Sequence, residues 1–303
     1  MLITAGMSLA AFGAGTQVRG TETSDEGKLR DFSAIPLEIT EAGSGWKYHP
    51  IDPKKAADDS YAMFADGACH YSSFRSIVTN VAQALMATGD ATNVQLARNY
   101  LAFPFYMMVY GQGGIAYYGS LCGAVNGCAA AISVFVPDRT DKYALIQDLC
   151  VYSEETALPI YVPKEDKHPG MPRGIAKSVV CHLSLANWAA AGEKTLEDPM
   201  WVERCMRLTS DLVIRTIELL NAYHADRPKA IESRRALMSE TQSCMECHTH
   251  NQGRFDSFGK MNCTACHTHP VDSECPRHHQ SIPSSSSSSA RVFERVRELA
   301  GLE

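Results

Sequence analysis

From Asp58 to Gly89 the apolar positions recur at helical intervals. Phe74, Ile77, Val78, Val81 and Leu85 are spaced so that a 3.6-residue turn gathers them on one face, and Gly89 supplies the stop. A shorter amphipathic segment follows over 90–110. Proline lacks the N–H that a helix needs, so this segment breaks within the aromatic run Phe103-Pro104-Phe105. Gly111, Gly113 and Gly114 predict an irregular loop of close backbone approach. Gly119, Gly123 and Gly127 then recur every four residues and predict a glycine-lined helix face against which another backbone packs. These glycines do not sit between a strand and a helix, so they form no nucleotide-binding loop.

Further along, 139–156 predicts a surface helix ending before Pro159, 160–173 a proline-rich loop, and 174–192 a helix with Cys181, Leu185 and Trp188 on one face. Asp198 and Pro199 open the longest expected helix, with a core stripe through Leu212, Ile217 and Leu220 and a stop at Pro228. Period-two alternation is nearly absent, so the expected fold class is mostly α. The organisation predicted is an N-terminal arm over 21–56, a helical domain over 57–240 and a structure-poor segment over 241–283. A serine tether with a short helix follows over 284–303.

The formal charge of −6 and the lack of a long basic stripe argue against nucleic acid as the main partner. The first fifteen residues are small and apolar and resemble the hydrophobic part of an export signal, placed at 1–20, though the usual basic start is missing; a buried or disordered terminus is the alternative. No other stretch reaches the roughly 18 apolar residues of a membrane-crossing helix. The expectation is a periplasmic or otherwise exported protein whose mature form has no transmembrane span.

The segment 244–269 changes the picture. It contains two C-x-x-C-H units, Cys244–Cys247–His248 and Cys263–Cys266–His267. Two thiols at this spacing can add across the two vinyl groups of one porphyrin, and the following imidazole falls under the iron as proximal ligand. A four-cysteine structural zinc site allows the same cysteine spacing. Zinc leaves unexplained why a histidine follows both pairs in a chain with 11 histidines among 303 residues. Two haems c are therefore expected, attached through Cys244, Cys247, Cys263 and Cys266. His250 and His269 stand two residues beyond each proximal histidine. Two residues span at most ~7 Å, too little to reach the opposite face of the same haem. Each is a candidate distal ligand to a different haem, across a dimer included, or a surface histidine. His224, His278 and His279 are reserves.

Seven cysteines remain: Cys69, Cys122, Cys128, Cys150, Cys181, Cys205 and Cys275. An odd number cannot close into disulfides. Cys69, Cys122, Cys181 and Cys205 each fall toward the start of an expected helix, where free N–H groups and the positive dipole end favour thiolate. Four converging thiolates suit an iron–sulfur cluster, and four separate buried thiols are the plainer alternative.

The elements Ala68-Cys69-His70, Gly113-Gly114, Cys122-Gly123-Ala124-Val125-Asn126-Gly127, Cys181-His182-Leu183-Ser184 and Glu203-Arg204-Cys205 precede the two C-x-x-C-H units. In this order they resemble the split-Soret cytochromes c over roughly 55–270. The resemblance implies a helical homodimer with two bis-histidine haems per subunit, gathered at one end and stacked closely enough to divide the Soret band. It also implies one iron–sulfur cluster per subunit, 2Fe–2S being one candidate, with Cys128 and Cys150 outside the matched positions. The function expected is electron transport between redox partner proteins. The rival is an oxidoreductase that reduces a small substrate at an open haem or exposed cluster. The surplus of histidines favours the first, because an iron with two imidazoles has no free position.

Overall fold

The computed structural model describes residues 45–194, 199–245 and 259–265. Among them the secondary structure is helical, with isolated bridges but no strand. Helix α1 (Pro53–Ala87) begins before the expected boundary at 57, because Asp52 caps it by accepting from the Lys54 and Lys55 amides and Pro53 suits the first turn. At 35 residues it is longer than the helix over 200–225 that was expected to be the longest. Gly89, at φ +71°, follows its end in the left-handed conformation that glycine adopts freely.

Helix α1 is broken once. Gly67 and Ala68 leave helical geometry, and Ala68 takes φ 60°, ψ −160°, a region that only glycine occupies comfortably. Beyond the break the helix becomes the hub of the domain. Phe74, Ile77, Val81 and Leu85 pack with Ile132 and Phe135 of α3 (Gly123–Phe135) and Leu212, Ile217 and Leu220 of α6 (Met200–Ala225). All are essentially solvent-free, and each such side chain contributes about 1.5–3 kcal/mol of burial. Trp46 stacks on Tyr100 at 4.4 Å and ties the entering chain to α2 (Ala91–Leu101).

Several expectations are corrected. Gly119 lies outside the helix, in a turn at φ +79°, so only Gly123 and Gly127 line the packed face. A Cβ on Gly127 would come within 2.5 Å of the His70 carbonyl oxygen, which is why α1 and α3 approach so closely there. Helix α4 (Arg139–Glu155) is not a surface helix: Leu145, Asp148, Leu149, Val151 and Glu154 are buried. Its Asp148 takes a two-pronged ion pair from Arg215 of α6 at 2.7 and 2.8 Å, so a charged position faces inward. The helix expected over 174–192 is only α5 (Cys181–Ala191). The residues before it form no helix, with Gly174 bridged to Leu158, Val180 bridged to Leu121 and a bend at Lys177, φ 56°.

The expected cap Asp198 lies outside the described residues; Pro199 occupies the cap position of α6 without a side-chain bond. Pro228 does more than stop α6, since it also sits in the first turn of α7 (Arg227–Glu232). A short α8 (Ser239–Met245) leads toward the C-x-x-C-H segment. The expected leader, the serine tether and the terminal helix also lie outside the described residues.

Candidate metal centre

The four cysteines come from four separate segments and meet at one place. Cys69 follows the break in α1, Cys122 caps α3, Cys181 is the first residue of α5, and Cys205 stands in the second turn of α6. Every pair among them is close enough to repel if ionised. The break at Gly67–Ala68 starts a new helical segment just where Cys69 is needed.

The loop before α3 builds one wall. Cys181 N–H donates to the Ser120 carbonyl (2.6 Å) and His182 N–H to that of Gly119 (3.1 Å), while Cys122 N–H donates to the Val179 carbonyl (2.9 Å). These bonds lock Cys122 and Cys181 side by side. Three glycines leave the room. A Cβ on Gly123 would lie 2.5 Å from Cys69 Sγ and 2.5 Å from the Gly111 carbonyl oxygen. One on Gly114 would lie 2.8 Å from Cys181 Cβ, and one on Gly111 would strike the His70 ring.

Burial is the largest influence on these thiols. It pushes Cys181 up to about 12 and raises Cys69 and Cys122 strongly, with mutual repulsion adding to the rise. Opposing it are the Gly113 amide at Cys69, the Val125 and Ala124 amides at Cys122, and the positive charge of Arg204 at Cys122 and Cys181. A protein without metal holds such thiols neutral; a bound cation would reverse that order. Among the described residues no set of three or more His, Cys, Asp or Glu side chains stands ready-made as a cation cage. The four thiols share a neighbourhood whose donors, amides and glycine-made space fit a multi-iron group ligated by sulfur.

The remaining thiols separate cleanly. Cys128 neighbours Cys122, but its thiol hydrogen-bonds with Thr216 and Ser73, and burial raises it to about 12. Cys150 lies in the wall of a groove of about 320 Å³ with Ile146, Glu154 and Met261. Cys275 lies outside the described residues.

Of the cysteines expected to attach haem, Cys244 in α8 and Cys263 in the short turn Cys263–Ala265 are described, and their thiols are in contact. The first cysteines of the two C-x-x-C-H units are thus neighbours. Cys247, His248, His250, Cys266, His267, His269, His278 and His279 lie outside the described residues. The reserve His224 is engaged elsewhere: its ring stacks on Tyr48 and its Nε2 lies 3.1 Å from the Phe135 carbonyl oxygen.

Three residues to which sequence reasoning gave no role stand at these regions. Glu154 of α4 accepts from the Asn262 amide at 3.3 Å, and Ser178 Oγ lies 3.4 Å from Met261 Sδ. Arg204 stands beside the thiols. No spacing rule marks these roles, because Glu154 and Ser178 meet partners from distant parts of the chain and Arg204 reaches thiols of α3 and α5.

A mostly helical domain that carries two C-x-x-C-H units beyond a four-thiol site defines a c-type cytochrome, an electron carrier. No protein-family model matches the chain. It is 31% identical over 231 residues to the split-Soret cytochrome c of Desulfovibrio desulfuricans, spanning 74% of this chain and 78% of that protein. A solved structure described as a novel iron centre in that cytochrome superposes with a TM-score of 0.65 at 30% identity, covering 77% of this chain and 95% of the other. The chain therefore belongs to the split-Soret cytochrome c family, and it is a haem c electron-transfer protein whose described residues include no helix long and apolar enough to cross a membrane.

Proposed function

We propose that Cys69, Cys122, Cys181 and Cys205 hold an iron–sulfur cluster and that electrons pass between it and two bis-histidine haems on the same chain. The observation that carries this reading is the meeting of four thiols from four segments, with α1 broken to deliver one of them. The iron centre reported for the related cytochrome is consistent with it. Cluster and haems, when bound, supply one-electron carriers. The chain's own residues supply the link: Cys181 is three residues from Ser178, which touches Met261, itself two residues from Cys263. Extended chain spans at most about 11 Å and 7 Å over those two stretches, so the sites are joined by a short, packed bridge.

Iron and acid-labile sulfide measured on protein isolated without air test the cluster; two haem irons and no sulfide would reject it. Cys247→Ala tests the attachment of the first haem by removing one of its two bonds. Finding both haems still held through two bonds would overturn that assignment. His248 and His267 are the proximal ligands in this reading, and His250 and His269 ligate other haems. If His250→Ala and His269→Ala both keep low-spin bis-histidine spectra, His278 and His279 take their place. Carbon monoxide binding to the reduced protein would instead favour a substrate-reducing oxidoreductase.

The homodimer reading is supported by exposed side chains crowded into one stretch: Tyr106, Met107, Tyr110, Ile115, Tyr117 and Tyr118. A second copy of this chain is the proposed cover, and a monomeric mass by light scattering at micromolar concentration would refute it. Export is proposed because covalent haem attachment takes place beyond the cytoplasmic membrane. Haem-free chain confined to the cytoplasm of a host able to mature cytochromes would count against it.

A further inference from the structure

Arg204 and Arg207 lie one turn apart on α6 and are equally buried, at 2% exposure each. Arg207 is an ordinary buried cation, held by Glu203 at 2.7 Å and Asp166 at 2.5 Å. Arg204 has no such partner. Its Nη2 donates to the carbonyl oxygen (3.1 Å) and Oγ (2.7 Å) of Ser184 in α5, and its guanidinium lies 6.0 Å from the Trp188 ring. Its Nη1 lies 3.8 Å from Cys205 Sγ, and its Nε is buried with no partner. Among the described residues no carboxylate forms an ion pair with it.

A guanidinium does not give up its proton in a protein, and a buried charge without a counter-charge is strongly unfavourable. Three thiols and one carboxyl beyond ion-pair distance are in reach: Arg204 touches Cys205, and its field acts on Cys122, on Cys181 and on Asp211, whose carboxylate already accepts from the Ile160 and Tyr161 amides. A cluster ligated by four thiolates is anionic and gains a further negative charge on reduction, and net charge is one of the levers that set its potential.

Given an iron–sulfur centre held by the four thiols, we propose that Arg204 is its built-in counter-charge, a fixed cation that offsets the charge of the centre and stabilises its reduced state. Ser184 is then the positioning residue that aims the guanidinium. One electron from a reductant adds one negative charge at the centre. The cation is already in place, so no proton need follow.

The test is a reductive titration with dithionite of the holoprotein isolated without air. The centre is read by electron paramagnetic resonance and the haems by absorption in the same sample. Arg204→Met is expected to make the centre at least tenfold harder to reduce, a fall of about 59 mV for one electron, with the haem midpoints unmoved. Arg204→Lys keeps the charge and should recover most of the fall. Should Arg204→Met not fold, Arg204→Gln, which retains an amide donor toward Ser184, is neutral and carries the same expectation. A neutral variant that keeps iron and sulfide and the wild-type midpoint would overturn the role of Arg204 while leaving the cluster reading intact. Wild-type protein with haem iron alone would overturn both.

Discussion

Glu154 offers the sharpest test of how the haem segment is seated. Its carboxylate is buried at the end of α4, 2% exposed, and accepts from the Asn262 amide and from that of Val179. Burial outweighs these two donors and pushes the carboxyl from its ordinary 4.5 up to about 7. The sign follows from which state holds the proton. Above pH 4.5 the unfolded chain releases it, whereas the native protein keeps it until about 7. Unfolding therefore releases a proton in this window, and stability falls as pH rises through it, then levels off. The whole fall is worth roughly 3 kcal/mol. Glu154→Gln has no proton to lose and preserves the shape. The stability of the variant relative to wild type should therefore rise by roughly 3 kcal/mol between pH 4 and pH 8, whatever its offset at pH 4. Urea denaturation of the holoprotein, followed by far-ultraviolet circular dichroism at both pH values, measures this. Asp211, which burial raises to about 6, adds a decline shared by both proteins and drops out of the difference. Parallel pH profiles for the two proteins would refute the reasoning.

Three further outcomes are expected. Gly123→Ala places a methyl group 2.5 Å from Cys69 Sγ and should cost roughly 1–3 kcal/mol while emptying the four-thiol site of iron. Haem content should stay unchanged, and a wild-type ratio of non-haem iron to haem would contradict it. Ala68→Gly should stabilise the protein by about 1 kcal/mol, because glycine relaxes the backbone at φ 60°, ψ −160°; a lower urea midpoint would show that this position is not strained. Asp148→Ala should lose about 3 kcal/mol, because Arg215 keeps only the longer pair with Glu218 and the Arg235 amide loses its acceptor; a loss below 1 kcal/mol would mean that the pair is solvated in practice.

What was legible in the sequence was what a few adjacent residues decide. The C-x-x-C-H units encode bond-forming chemistry within five positions. The periodic runs encode which face of a helix is apolar. The start of α5 was expected at 174, seven residues before Cys181, because no capping side chain marks it. Gly119 was misplaced because a four-residue glycine interval does not say where the helix begins, and the turn before α3 needed a positive φ instead. The buried face of α4 was missed for a different reason. Asp148 reads as solvent-facing until Arg215, on another helix, is brought to it.

The four-thiol site lies between these cases. Local reasoning could nominate Cys69, Cys122, Cys181 and Cys205 by their nearness to helix starts, but it could not say why Cys69 qualifies. Within one continuous helix its amide would be spent on the preceding turn and its thiol would point along the face the helix dictates. The break at Gly67–Ala68 removes both constraints at the cost of a strained alanine. A sequence with good helix formers on both sides gives little hint of such a break. It persists because α3 and α6 pack against the second half of α1 while Glu203 and Ser210 of α6 hold Tyr61 and Ala57 of the first. The same packing brings Arg204 within reach of the thiols. A site assembled this way is specified by the core around it more than by its own residues, so substitutions at Gly123 or Arg204 should alter the centre while the C-x-x-C-H units still take up their haems.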